Sequence, residues 1–119
     1  MARKPARPAA EPKPQKILTK PAMERIAALA ARPAAPDRMR REVQGMVQAW
    51  LEGAGEEQRI ELRERLGEMQ EQLLEGIEAA GDMMDEIDAE DVAAKRHSSN
   101  ALAALRAARD ALAAAGRGL

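Results

Sequence analysis

Catalytic chemistry could begin at the one histidine of the chain, His97, which Ser98 and Ser99 follow directly. A serine nucleophile needs a base that reaches its hydroxyl group, in a pocket that restricts water. Residues adjacent in sequence rarely reach that geometry, and no motif for an oxyanion hole accompanies these three. We therefore expect His97 to be a solvated histidine at a helix end, and the protein not to be an enzyme.

A cluster of carboxylates could attract divalent cations. Its members are Asp82, Asp85, Glu86, Asp88, Glu90 and Asp91. A calcium loop of the EF-hand type needs alternating oxygen ligands, a central glycine and a terminal glutamate. This run repeats an aspartate every third residue and has no such glycine, and the chain has no cysteine that could bind a softer metal. We expect a solvated helix face, without metal or other cofactor.

Cations near the amino terminus are the strongest candidates for binding a ligand. They are Arg3, Lys4, Arg7, Lys13, Lys16 and Lys20. Such an arm can neutralise nucleic-acid phosphates and release counterions, which gives an affinity that depends on salt and not on sequence. No aromatic residue lies between the cations to stack on bases, and no base-reading motif follows. Nucleic-acid binding is therefore one hypothesis, and a tail that solubilises the protein or neutralises its own acidic segment is the alternative.

Charge is sorted into blocks along the 119 residues, so the net charge of −1 hides a basic–acidic–basic chain. Residues 1–41 carry +8, residues 42–92 carry −13 and residues 93–119 carry +4. The chain has one Trp and neither Phe nor Tyr, which argues against a compact β or α/β domain with a deep ligand pocket. Its Ala, Leu, Glu, Gln and Arg are helix formers, so the composition predicts an all-α protein.

Three regions follow from proline content and apolar spacing. Residues 1–18 are predicted to be a disordered arm, because four prolines interrupt a basic segment without apolar periodicity. Residues 19–33 are predicted to be a short helix and linker, and residues 37–115 a helical oligomerisation or interaction domain. Asp37 is the predicted cap of a helix that ends at Gly53. One apolar stripe of this helix is Met39, Val43, Met46, Val47 and Trp50.

A long acidic helix is predicted from Glu56. Its inner positions are Leu62, Leu66, Met69, Leu73, Ile77, Ala80, Met84 and Ile87. Steps of three and four residues are typical of a coiled coil, here with one four-residue stutter. This stripe predicts either a helical hairpin or a coiled-coil-like oligomer. Its interface would be these residues other than Ala80, together with the stripe ending at Trp50.

The carboxy-terminal segment has an ambiguous pattern, because alanine is too frequent to mark one face. Lys95 and Arg96 followed by Ser98, Ser99 and Asn100 favour a helix break near 97–100 and a last helix over 101–115. A turn near Gly81 is the alternative. If the chain reverses, a basic helix could lie against the acidic one.

These patterns predict a non-enzymatic helical oligomer or adaptor that acts through contacts with a copy of itself or a helical partner protein. The first alternative is a nucleic-acid accessory protein, for example a DNA-packaging small subunit, that uses the basic arm. The second is an inhibitor whose carboxylates mimic a charged ligand, with Glu68, Glu71, Glu75 and Glu78 as the mimic. No apolar run approaches the length of a membrane span and no secretory signal is present, so we expect a cytoplasmic protein without membrane contact.

Overall fold

The computed structural model describes residues 16–32 and 34–119, and the regular elements of these residues are four α-helices. The predicted all-α fold is confirmed. Most of the predicted disordered arm lies outside the described residues. The helices are α1 (Thr19–Ala31), α2 (Pro36–Leu51), α3 (Glu56–Asp85) and α4 (Val92–Arg117).

Proline and glycine set the limits of α2. Pro36 begins the helix, where its fixed backbone angle suits the first turn and its missing N–H has no helical partner to lose. The predicted cap was wrong: Ala35 holds that position, and Asp37 lies within the first turn and pairs with Arg40. Gly53 follows the helix with a φ of 72°, in the left-handed region. Glycine adopts this conformation at little energetic cost because it has no Cβ atom, and it therefore commonly follows the end of a helix.

The break between α3 and α4 lies at residues 86–91, so both the favoured break near 97–100 and the turn near Gly81 were wrong. Five of the seven residues from 85 to 91 are acidic. A carboxylate interacts unfavourably with the helix dipole at the carboxyl end of a helix and favourably at the amino end. The same run therefore stops α3 and starts α4, where the Asp91 carboxylate accepts a hydrogen bond of 3.1 Å from the Ala94 N–H.

An antiparallel hairpin of α3 and α4 forms the centre of the molecule. Leu105 lies beside Leu73, and the carboxy-terminal Leu119 lies beside Ile60 near the start of α3. Helix α4 also packs on α1 and α2, which contact α3 and each other much less. The buried side chains of α4 are Leu102, Ala104, Ala107, Ala108, Ala111 and Leu112.

Packing between the helices is apolar. As expected, a basic helix lies against the acidic one, but α3 and α4 form no ion pair with each other in the described part of the chain. Within residues 16–32 and 34–119, the one ion pair that joins two helices is Arg25–Glu42, at 2.8 Å between α1 and α2. Exposed pairs of this kind contribute about 0.2–1 kcal/mol, so apolar burial holds the helices together.

Replacing Leu66 with Asp tests whether the apolar stripe of α3 packs in the core of a single chain. Leu66 is 0% exposed, so Leu66→Asp would bury an unpaired charge and remove about 3 kcal/mol or more of stability. Thermal unfolding followed by circular dichroism measures this loss. The control is Leu74→Asp, because Leu74 lies on the same helix and is 43% exposed. Equal losses in the two variants would contradict the packing described here.

The buried alanines of α4 give a second test. Ala108 is fully buried, so Ala108→Leu should overpack the contact with the neighbouring helices and lower the free energy of unfolding by about 1–3 kcal/mol. The same substitution at the exposed Ala114 is the control, and it should leave stability nearly unchanged. Urea unfolding of both variants measures the difference. A stabilised Ala108→Leu variant would show that α4 does not approach its neighbours closely.

Candidate interaction surface

The residues predicted as an interface between chains pack within one chain. Met46 is half-buried against the core, and Met84 and Ile87, nearer the turn, are half-buried as well. A contact between chains through these residues stays a prediction, and their apolar surface is already largely covered by the chain's own helices. The buried members are Met39, Val43, Val47, Trp50, Leu62, Leu66, Met69, Leu73 and Ile77.

Four of the six predicted nucleic-acid-binding cations lie outside the described residues. They are Arg3, Lys4, Arg7 and Lys13. Lys16 and Lys20 are described, and both are exposed at the start of the helical region. Because the other four lie outside the described residues, nucleic-acid binding by the arm remains a prediction from sequence.

The residues considered for catalysis and metal binding lie on the surface. His97 is exposed on α4, and Ser98 is half-buried on the same helix. No polar or charged side chain is buried within residues 16–32 and 34–119. In the same residues, no three or more His, Asp or Glu side chains converge as metal ligands would.

Arginines line one cavity at the junction of α1 and α2, with a volume of about 530 Å³. Arg25, Arg32 and Arg38 contribute the charge, and alanines and Leu29 the rest. The Arg25 guanidinium already binds Glu42. All three arginines are exposed, and exposed guanidinium groups attract anions weakly and in a salt-dependent way.

The hairpin end, residues 78–101, extends beyond the core and contains no buried residue. The last buried position of α3 is Ile77, and the first of α4 is Leu102. Two large apolar side chains are open to solvent in the hairpin end, Met83 with 67% and Val92 with 61% of their surface exposed. Isolated exposed side chains need no explanation, but these two lie on a segment that the core does not cover.

Acidic residues surround these apolar side chains. From residue 66 to residue 94 the sequence has ten carboxylates and neither Lys nor Arg. All ten are exposed, and the first, Glu68, lies 3.4 Å from the Arg65 guanidinium. The outer part of the hairpin is therefore a strongly negative surface with apolar side chains within it.

An apolar groove lies between α1 and the hairpin. Its volume is about 300 Å³, and Gln72 is the one polar side chain among its lining residues. Gly76 lies on its α3 side, and a Cβ atom added there would meet nothing within 4 Å. The lining residues are Met23, Ile26, Ala27, Ala30, Gln72, Leu73, Gly76 and Leu105.

The sequence patterns described above did not predict this groove. The groove depends on how α1 docks, because α1 packs mainly on α4 and contacts α3 only slightly. The exposure of Met83 and Val92 was not predicted either, because an apolar residue outside a stripe does not by itself indicate whether it is exposed. The one indication in the sequence is that Met83, one residue before Met84, lies off the stripe.

The described helices include none that is long and apolar enough to cross a membrane. No protein-family model, curated protein or solved structure matches this chain. Its function must therefore be argued from the surfaces described above.

Proposed function

We propose that this protein is a non-enzymatic adaptor that binds other proteins through the outer part of its α3–α4 hairpin. The observation that carries the proposal is the hairpin end, which exposes Met83 and Val92 among carboxylates on a segment with no buried residue. Extending two helices beyond a core adds little buried apolar area to stabilise the fold, since Met84 and Ile87 are only half-buried there. A binding surface gives such an extension a use, and methionine adapts well to varied partner surfaces.

Burial of the predicted interface stripe of α3 favours an adaptor over a coiled-coil oligomer. Leu66 and Met69 are already covered by the chain's own helices, so a second chain would have to displace them. Opening that core would expose apolar area at about 25 cal/mol per Å². Light scattering should therefore give the mass of one chain, 12.9 kDa, and a salt-resistant larger mass would instead favour the oligomer.

Charge mimicry is a second candidate function, supported by the exposure of the four carboxylates Glu68, Glu71, Glu75 and Glu78 on α3. A mimic would bind a basic groove through charge alone, so its affinity would fall when these residues become glutamine. An adaptor would depend on apolar contacts as well. Binding to nucleic acid stays a hypothesis that rests on the basic arm, and the carboxylates of the hairpin would repel phosphates.

Site-specific photocrosslinking tests the adaptor proposal. A photoreactive amino acid replaces Met83 in the full chain, and the same amino acid at the exposed Ala114 is the control. We expect irradiation in extracts of cells that express the protein to join position 83, and not position 114, to one other protein. Mass spectrometry identifies that adduct.

Two outcomes would contradict the proposal. Adducts formed equally at both positions would mean that the hairpin end has no special affinity. An adduct of position 83 with only a second copy of the chain would mean that the surface serves self-association.

A further inference from the structure

Building on the proposed function, we infer that the apolar groove between α1 and α3 binds one amphipathic helix of a partner protein, with a basic rim on that helix. The groove has the lining of a helix-binding site, because apolar side chains form its walls and small residues line it. Ala27, Ala30 and Gly76 leave room for a backbone or a large side chain to approach closely. Recognition of a helix in a groove uses one apolar face of the incoming helix.

The face of α3 that lines the groove continues, beyond the groove itself, towards the hairpin end. Gln72, Gly76, Ala79 and Met83 are separated by steps of four, three and four residues, which places them on one face of the helix. The first two line the groove, and the last is 67% exposed. Eleven residues of helix measure about 16 Å, the length of about three helical turns on a partner.

A row of carboxylates follows the solvent side of this stripe. Its members are Glu68, Glu75, Asp82 and Glu86, all exposed and separated by steps of seven, seven and four residues. An apolar face rimmed by carboxylates favours a partner helix whose apolar face is rimmed by Lys or Arg. The same charges disfavour acidic helices, nucleic acids and anionic lipid surfaces.

The helices of a second copy bury their large apolar faces in their own core. Helix α2 has a basic side with Arg38 and Arg41, but its Met39 and Val43 are buried, and the basic helix α4 buries Leu102 and Leu112. The exposed Leu18 near Lys16 and the exposed Val92 near Lys95 are single apolar residues, and the first fifteen residues have only Met1. None of these segments presents an apolar face of several large residues with a basic rim, so a different protein is the occupant that these charges favour.

The experiment measures binding of a synthetic helix to the full chain by fluorescence anisotropy. The probe is a labelled peptide of about 18 residues, five turns, with leucine on one face and lysine on the other. A scrambled peptide of the same composition has the same charge but no apolar face. We expect the amphipathic peptide to bind at least about tenfold more tightly than the scrambled one.

A groove-filling variant locates the site. Gly76→Leu puts a side chain into the groove, and the free space around Gly76 together with the low helix propensity of glycine should leave the fold intact. We expect the affinity for the amphipathic peptide to fall by about tenfold or more. Gly45→Leu is the matched control, since Gly45 lies on α2 with equally free space, and it should not change the affinity.

Charge variants test the rim. Changing Glu68 and Glu75 to Gln and Asp82 to Asn should weaken binding and reduce its dependence on salt. The control removes three charges at Glu52, Glu56 and Glu57, which are exposed just before and at the start of α3. Glu57, the control residue nearest to the rim, is about 16 Å from Glu68 along the helix, which exceeds the screening length of physiological salt, so the control should have little effect.

Three results would overturn the inference. The first is equal binding of the two peptides, and the second is an unchanged affinity in Gly76→Leu. The third is a dimer mass in light scattering without peptide, which would mean that a second copy of the chain occupies the groove. The first means attraction by charge alone, and the second places binding elsewhere. If crosslinking from position 83 to another protein persists in Gly76→Leu, the groove fails while the adaptor proposal stands. If that crosslink is never formed, the adaptor proposal itself fails.

Discussion

Close approach of helices to α4 is the constraint on which the rest of this structure depends. The chain has almost no aromatic side chains with which to fill space, so its core must come from aliphatic residues packed tightly. Ala104 and Ala108 are fully buried, and their small side chains let neighbouring helices come near the α4 backbone. Because α4 is the last helix, α1 and α2 acquire their main packing surface only when the carboxy-terminal segment is in place.

Charge has a different task from burial in this molecule. The basic and acidic blocks could have held the helices together, yet Arg25–Glu42 is the one ion pair between helices in the described residues. The carboxylates of α3 instead face water. Under the proposed function they would restrict which partners can approach the surface, while aliphatic contacts determine stability.

The length of the hairpin relative to the core explains where a partner could bind. Burial ends at Ile77 on one helix and begins at Leu102 on the other, so the intervening residues depend on the hairpin contact alone. Segments with few buried apolar contacts are the first to open in local unfolding. A partner that covered Met83 and the groove beside α1 would stabilise this part of the fold as well as gain affinity from it.

The sequence by itself determined the helices that carry a clear apolar stripe. Met39, Val43, Val47 and Trp50 are all buried as their spacing predicts, and the start of α3 at Glu56 was predicted as well, because periodicity and helix ends are local properties. The start of α4 was not predictable in this way, although its predicted end at residue 115 is close to the observed end at Arg117. Alanine occurs on every side of that segment, so no contrast marks its buried face, and the acidic run that ends α3 was interpreted as a continuous helix face.

Only the tertiary structure decided what the stripes pack against. An apolar stripe must be covered, but its spacing is the same whether the covering helix belongs to its own chain or to another. The position of the turn at residues 86–91 brings Leu105 back beside Leu73, and this closes the core within one chain. The groove arises from the same packing, because it lies where α1, α3 and Leu105 of α4 meet, whereas Met83 is exposed because it lies off the buried face of α3.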